Sequence, residues 1–226
     1  MAAFARAIEL GYRYLETDAR VTADGVLVAF HDATLDRVTD RGGAIGALPW
    51  REVRAARIGG VEPIPLLADV LGAWPSARVI LDPKCDGAVG PLVDAIRVAG
   101  AFDRVCVGSF SHPRLAAVRA ALGPRVATSM SPVELRRLRF AAWGLLPRAA
   151  VAGPAACVQM PPDYRRVRLA EPRLIELAHA LGLPVHVWTI NREPDMRRLL
   201  DLGVDGLITD DVETLRTVLR ERGTWR

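Results

Sequence analysis

Residues 14–32 read Tyr-Leu-Glu-Thr-Asp-Ala-Arg-Val-Thr-Ala-Asp-Gly-Val-Leu-Val-Ala-Phe-His-Asp, and this stretch decides how the chain folds. Two apolar, β-branched runs flank Asp24-Gly25, a dipeptide typical of tight turns between antiparallel strands. Side chains two residues apart on a strand share a face, so Glu16 and Asp18 project to the same side. The turn returns His31 towards them. The stretch therefore predicts a β-hairpin that gathers two carboxylates and an imidazole.

The acidic pair Glu16 and Asp18 suits a hard divalent cation. Carboxylate oxygens are the ligands that Mg²⁺ and Ca²⁺ prefer, whereas zinc more often recruits cysteine or several histidines. The sequence therefore predicts a Mg²⁺ or Ca²⁺ site here. The alternative is that the two acids form the solvated face of an edge strand, because exposed acidic residues are common.

Lys84 is the only lysine, since 29 of the 30 basic residues are arginine. An exception of this kind suggests a position that needs a compact ammonium group. Lys84 follows the apolar run 79–81 and Asp82, so this strand end is expected to supply a third metal ligand and a phosphate contact. The alternative is one surface lysine that survived a compositional bias towards arginine.

Length and composition favour one enzyme-sized domain. The 226 residues are 50% hydrophobic, which is ample for one core, and we expect a single domain over residues 1–226. The net charge of +4 comes without a long basic block, so nucleic-acid binding is weakly supported. The three cysteines match neither a disulfide framework nor a zinc motif, and they favour a cytoplasmic location. No stretch predicts an integral membrane segment or a signal peptide.

The rest of the chain alternates short apolar strands with amphipathic helices. This order predicts an α/β fold of the TIM-type (β/α)₈ barrel, with seven strands where eight are usual. Polar residues follow most strands, as they do at the catalytic ends of such barrels, although any one of them could simply cap a helix. The predicted strands are 14–20, 78–83, 104–109, 125–129, 156–160, 185–190 and 204–208. The predicted helices are 2–10, 88–99, 113–122, 132–142, 172–181, 194–202 and 212–222.

Several separated motifs, taken in order, resemble the glycerophosphodiester phosphodiesterase family along essentially the whole chain. Each motif is weak alone, but the ordered set is specific. The motifs are Glu16-Thr17-Asp18, Thr22-Ala23-Asp24-Gly25, Phe30-His31-Asp32, Thr34 to Thr39, Ile64-Pro65-Leu66-Leu67, Leu81-Asp82-Pro83-Lys84, Ser109-Phe110-Ser111, Val187 to Asn191 and Gly203 to Asp210.

The resemblance implies a metal-dependent barrel that hydrolyses glycerophosphodiesters to glycerol 3-phosphate and an alcohol. It implies that Glu16, Asp18 and Asp82 are ligands of Mg²⁺ or Ca²⁺, with Asp82 standing where the family often has the longer glutamate. Lys84 corresponds to a phosphate contact and His31 to one of two acid/base histidines. Trp188 corresponds to the aromatic wall on the glycerol side of the pocket.

The family begins with a strand that ends in a His-Arg pair, and this chain lacks it. We therefore expect a barrel without its first strand, an N-terminal truncation, impaired hydrolysis, and exposed edges that favour a homodimer. His186, His112 and His179 are weak substitutes for the missing histidine. One alternative is a non-catalytic barrel that binds metal and phosphate. A phosphosugar isomerase ranks last, because it does not explain the acidic pair.

Overall fold

The computed structural model describes residues 1–225. The chain divides into two compact units, Met1–Ala127 and Thr128–Arg226. Each unit has its own sheet, described separately below. No helix within residues 1–225 is both long and apolar enough to cross a membrane.

The first unit is built on a mostly parallel sheet flanked by five helices. The sheet order is β2-β1-β5-β6-β7, and β3 and β4 form a separate two-stranded ribbon. The strands are β1 (Tyr14–Val21), β2 (Leu27–Ala29), β3 (Arg57–Ile58), β4 (Glu62–Pro63), β5 (Arg78–Pro83), β6 (Val105–Val107) and β7 (Ala127–Thr128), the last at the unit boundary. The helices are α1 (Ala2–Glu9), α2 (Trp50–Val53), α3 (Leu67–Ala73), α4 (Val89–Val98) and α5 (His112–Leu122).

The predicted hairpin is confirmed, with β1 and β2 antiparallel and Ala19 opposite Ala29. Its turn is held by Asp24, whose Oδ1 accepts hydrogen bonds from the Thr22 hydroxyl at 2.6 Å and from the Trp50 amide at 2.8 Å. Gly25 has a φ of +85°, a conformation that side chains disfavour and glycine adopts freely. The turn chemistry read from the sequence therefore sets the register that brings His31 back beside β1.

The segment after β2 folds back over the hairpin and gives the first unit a compact apolar cluster. Val28 and Phe30 of the hairpin side pack with Leu35, Ile45 and other buried residues of this segment. Burial of these side chains holds the loop that follows His31 in place, because a loop with its own apolar anchors cannot swing freely. The apolar cluster thus supports the polar residues at the strand ends.

The second unit carries a three-stranded parallel core of order β12-β11-β8 and an antiparallel hairpin of β9 and β10. The strands are β8 (Val158–Met160), β9 (Asp163–Tyr164), β10 (Val167–Arg168), β11 (Val185–Val187) and β12 (Gly206–Leu207). The helices are α6 (Pro132–Ala142), α7 (Pro172–Ala180), α8 (Glu193–Asp201) and α9 (Val212–Glu221). Among residues 1–225, 3₁₀ turns lie in the first unit at Ile45–Ala47, Asp86–Ala88 and Gly123–Arg125, and in the second unit at Arg148–Val151.

Helix starts follow their capping residues. The Ser131 side chain accepts a hydrogen bond from the Glu134 amide while the Glu134 carboxylate accepts one from the Ser131 amide, so α6 begins at Pro132 as predicted. Ser111 caps α5 and Asp211 caps α9 by the same kind of bond. Helix α5 begins at His112, one residue before the predicted start at residue 113.

Candidate functional site

Strand register in the first unit brings two acids and the single lysine together. β1 and β5 are parallel, and Asp18 lies directly opposite Asp82 near the carboxyl ends of both strands. Lys84 continues the ladder, because its amide donates to the Ala19 carbonyl at 3.0 Å. Residues 82 and 84 share a face by strand alternation, as residues 16 and 18 do. The three charged side chains therefore converge on one side of the sheet.

The Lys84 ammonium lies between the two carboxylates. Its Nζ is 2.7 Å from Asp18 Oδ1 and 2.8 Å from Asp82 Oδ2, and all three side chains are less than one-fifth exposed. Burial of the ammonium opposes protonation, but hydrogen bonds to both carboxylates outweigh it and raise the pKa of Lys84 above its usual value. Burial raises the pKa of Asp82, although Lys84 opposes that shift. The cluster is a compact, desolvated set of charges of the kind common at functional sites.

The acidic side chains offer carboxylate oxygens, the ligand type that suits a divalent cation such as Mg²⁺ or Ca²⁺. Asp82 Oδ1 is buried and has no hydrogen-bond partner among residues 1–225, so one carboxylate oxygen remains available to a ligand. Glu16 is on the face of β1 that carries Asp18 and is half-buried. Across the described chain, however, no three Asp, Glu, His or Cys side chains already form a complete metal site. Lys84 holds Asp18 and Asp82 instead.

His31 lies two residues after the end of β2, alongside the middle of β1. The neighbouring amide of Phe30 donates to the Asp18 carbonyl at 2.9 Å, and Arg20 Nε donates to the His31 carbonyl at 2.8 Å. The imidazole is 69% exposed, so it is accessible for proton transfer. The structure therefore brings His31 to the same end of the hairpin as Asp18.

The Asp32 carboxylate and the Arg37 guanidinium orient His31. The sequence analysis assigned no role to either residue. Asp32 Oδ1 is 2.6 Å from His31 Nδ1. Arg37 holds that carboxylate with two hydrogen bonds, from Nε to Oδ2 at 2.6 Å and from Nη2 to Oδ1 at 3.0 Å. Hydrogen bonds hold the pKa of Asp32 well below its usual range, and those from Arg37 contribute more than the one from His31. As a carboxylate, Asp32 accepts a hydrogen bond and so favours the His31 tautomer with the proton on Nδ1, which leaves Nε2 for chemistry.

Two further side chains flank Lys84. The Phe110 ring lies 5.7 Å from its Nζ and is 59% exposed, and Arg114 of α5 donates to the Pro83 carbonyl at 3.1 Å and to Asp86 at 2.6 Å. The Ser109-Phe110-Ser111 motif was the only sequence signal for this contact. Phe110 thus adds an apolar surface beside the charged cluster.

Trp188 belongs to the second unit, where it follows β11. It is half-buried, and its amide donates to the Met160 carbonyl at the end of β8. Nearby, the Asn191 side chain accepts hydrogen bonds from the Thr209 hydroxyl and the Asp210 amide, which ties the ends of β11 and β12 together. His186 lies within β11, and burial lowers its pKa.

Comparison with known proteins gives the family. The Glycerophosphoryl diester phosphodiesterase family matches residues 1–214. The chain belongs to this family. A Mycobacterium tuberculosis protein named "Probable glycerophosphodiester phosphodiesterase 2" is 40% identical over 233 residues, which cover 100% of this chain and 86% of that protein. A glycerophosphodiester phosphodiesterase of Caldanaerobacter subterraneus is 30% identical, covering 99% of this chain and 92% of the relative.

Solved structures agree on the fold. A glycerophosphodiester phosphodiesterase from Agrobacterium tumefaciens matches with a TM-score of 0.73 at 23% identity, covering 95% of this chain and 91% of that one. A phosphodiesterase from Oleispira antarctica, solved with the product sn-glycerol-3-phosphate, matches with a TM-score of 0.77 at 20% identity. The match covers 96% of this chain and 90% of that one. These neighbours are TIM-type barrels, which confirms the predicted fold class. The family match and the named relatives confirm the predicted family and hydrolase class. Use of a divalent cation is general in this family.

Proposed function

We propose that this chain hydrolyses glycerophosphodiesters to glycerol 3-phosphate and an alcohol, supported by Mg²⁺ or Ca²⁺. The observation that carries the proposal is the convergence of Asp18, Asp82 and Lys84 at the ends of two parallel strands, with His31 at the same end of the hairpin. Membership of the family, together with relatives named for this reaction, supports it.

Glu16, Asp18 and Asp82 would hold the cation through carboxylate oxygens, which suit both Mg²⁺ and Ca²⁺. The cation would supply positive charge near the phosphoryl oxygens, where negative charge grows during displacement at phosphorus. The unpartnered Oδ1 of Asp82 is the structural feature that favours such a ligand. Lys84 would then add a compact ammonium that contacts the phosphate.

His31 moves protons in this proposal. In the first stage, the glycerol hydroxyl next to the phosphodiester attacks phosphorus and loses its proton, and the alcohol leaves with a proton. In the second stage, water opens the resulting cyclic phosphate. His31 Nε2 can serve one end of this exchange, because Asp32 and Arg37 fix the other ring nitrogen. Trp188 would form the aromatic wall that receives the glycerol carbons.

A second candidate is a non-catalytic barrel that binds metal and phosphate. The contact of Lys84 with both Asp18 and Asp82 favours it, since an ammonium already neutralises the acidic pair. A single domain over residues 1–226, a homodimer and a cytoplasmic location also stay proposals.

The test replaces His31 with alanine and follows release of glycerol 3-phosphate from glycerophosphocholine. We expect kcat to fall at least about 100-fold, because general acid–base groups typically contribute factors of 10² to 10⁴. The matched control is His112→Ala, at the exposed first residue of α5, which should keep wild-type kcat. Equal kcat for His31→Ala and the wild type would remove His31 from proton transfer.

A further inference from the structure

The hairpin of β9 and β10 projects from the second unit as six consecutive exposed residues, 163–168. It follows the carboxyl end of β8. Tyr164 pairs with Val167 and is 55% exposed, while Val167 is 41% exposed. Directly paired residues of antiparallel strands point to the same face, so an aromatic and an aliphatic side chain form one exposed apolar face. Arg165, at the tip, has a φ of +56°, which makes the turn tight.

The carboxyl end of α6 lies against this hairpin. Arg139 Nη1 donates to the Arg168 carbonyl at 3.2 Å and to Glu171 Oε1 at 2.9 Å. The Trp143 indole donates to the same carboxylate oxygen at 2.7 Å, and the Arg173 guanidinium lies 4.9 Å from the Trp143 ring. These contacts join helix and hairpin into one surface. We call it the hairpin–α6 surface, made of Phe140, Trp143, Leu145 and residues 164–168.

This surface exposes large apolar side chains to an unusual degree. Phe140 is 41% exposed, Trp143 47% and Leu145 70%, in addition to Tyr164 and Val167. Isolated exposed apolar residues need no explanation, but several on two segments that contact each other favour an interaction site.

Positive charge surrounds the apolar side chains. Within the described chain, no carboxylate forms an ion pair with Arg165 or Arg166, and the Arg165 guanidinium stacks 5.5 Å from the Tyr164 ring. The nearby acids are already engaged, because Glu171 binds Arg139 and Asp163 faces Arg168 at 3.8 Å. The hairpin tip therefore carries surplus positive charge beside exposed aromatic rings.

We propose that the hairpin–α6 surface docks on anionic lipid bilayers. Arginines near an anionic leaflet gain electrostatic attraction to its headgroups. Tyrosine and tryptophan favour the headgroup level, and Val167 and Leu145 reach the acyl boundary. A nucleic acid would satisfy the arginines but not the aliphatic side chains. The docking proposal stands on this surface alone and does not require the proposed hydrolysis.

The test is co-sedimentation of the full chain with vesicles of phosphatidylcholine alone, or of phosphatidylcholine and phosphatidylglycerol in equal parts. We expect binding only to the anionic vesicles. The variant Arg165→Ala/Arg166→Ala should bind them about 30-fold more weakly, which is the expected loss for two interfacial arginines. The matched control Arg51→Ala/Arg54→Ala removes two exposed arginines from α2 and the residue that follows it, and should keep most of the affinity.

Tyr164→Ala adds a separate readout, because removal of an apolar contact should weaken vesicle binding at high salt, where electrostatic attraction is screened. Unchanged melting temperatures would show that each variant folds. Equal vesicle binding by the wild type and Arg165→Ala/Arg166→Ala would overturn the proposal, as would absence of binding to anionic vesicles. Binding to duplex DNA as tight as to anionic vesicles, and insensitive to Tyr164→Ala, would overturn it in favour of a general polyanion surface.

Discussion

Lys84 is the residue on which the charged cluster depends. Its ammonium contacts Asp18 and Asp82 within 2.8 Å, and both carboxylates are largely removed from water. A guanidinium is larger and planar, so the compact ammonium explains why this one position departs from the arginine-rich composition. The sequence predicted an unusual role for Lys84, but the two strands had to be paired before its carboxylate partners could be identified.

Replacing Lys84 with methionine should reduce the free energy of unfolding by about 3 kcal/mol. The substitution leaves two partly desolvated carboxylates facing each other without a counter-charge, and such losses are costly. Chemical denaturation without added metal measures the change. Arg51→Met is the control, because Arg51 is 83% exposed and should shift stability by less than about 0.5 kcal/mol. Equal stability of Lys84→Met and the wild type would contradict this description of the cluster.

Asp32 acts on chemistry through His31. Asp32→Asn should lower kcat for glycerophosphocholine about 10-fold or more with little change in KM, because the amide no longer holds the imidazole tautomer. The control is Asp36→Asn, an exposed acid of the same loop whose carboxylate accepts from the Gly43 amide. A kcat for Asp32→Asn equal to that of the wild type would show that His31 needs no orienting carboxylate.

The roles of Asp32 and Arg37 could not be predicted from the sequence, for a physical reason. The loop after β2 returns residue 37 to residue 32 along an irregular path, which follows no helical or strand periodicity. The motif Thr34 to Thr39 contributed to the family resemblance, but nothing in it indicated which side chain faces His31. Side-chain pairs of this type become visible only once the loop is folded.

At the level of elements, periodicity and capping predicted the main helices and strands well. All seven predicted strands and all seven predicted helices are present, and α6 has the predicted bounds because Ser131 and Glu134 fix its start. Strands β6, β7, β8, β11 and β12 are all shorter than predicted. The apolar runs of β11 and β12 continue into loops held by the Asn191 side chain instead of by a sheet ladder.

The missed elements are short. Helices α2 and α3, the ribbon of β3 and β4, and the hairpin of β9 and β10 were not predicted. Two-residue strands, a four-residue helix and a seven-residue helix contain too few residues for a hydrophobic period to emerge clearly. Long-range packing under the β1–β2 hairpin and against α6 decides their conformation instead.

His186 in β11 should make stability depend on pH. Burial lowers its pKa below 6.5, although Asp205 opposes the shift, and Gln159 Nε2 lies 3.5 Å from its Nδ1. The histidine of the unfolded chain therefore becomes protonated near pH 6.5, whereas His186 of the folded chain stays neutral to lower pH. The free energy of unfolding should therefore fall as the pH drops from about 7 to about 5.5.

His186→Gln should show a smaller fall over the same pH interval, measured by urea denaturation at both ends. His112→Gln is the matched control, because it makes the same substitution at the exposed first residue of α5. Parallel pH profiles for His186→Gln and the wild type would show that the buried imidazole does not contribute.

At the scale of the whole molecule, the order of the motifs predicted the fold class and the family. The family match extends over residues 1–214 and so includes residues of both compact units. Acidic and basic motifs far apart in the sequence were informative together because the parallel strands β1 and β5 of the first unit present their carboxyl ends at one edge. Self-association stays a prediction, since it depends on surfaces whose shape no sequence pattern specifies.

The most direct test of the central claim is metal-dependent turnover by the chain itself. Purified protein is incubated with glycerophosphocholine and Mg²⁺ or Ca²⁺, with a chelator as control, and release of glycerol 3-phosphate is followed. We expect release that requires the cation and stops with the chelator. A folded sample that releases no glycerol 3-phosphate with either metal, or that releases it equally in the presence of chelator, would contradict it.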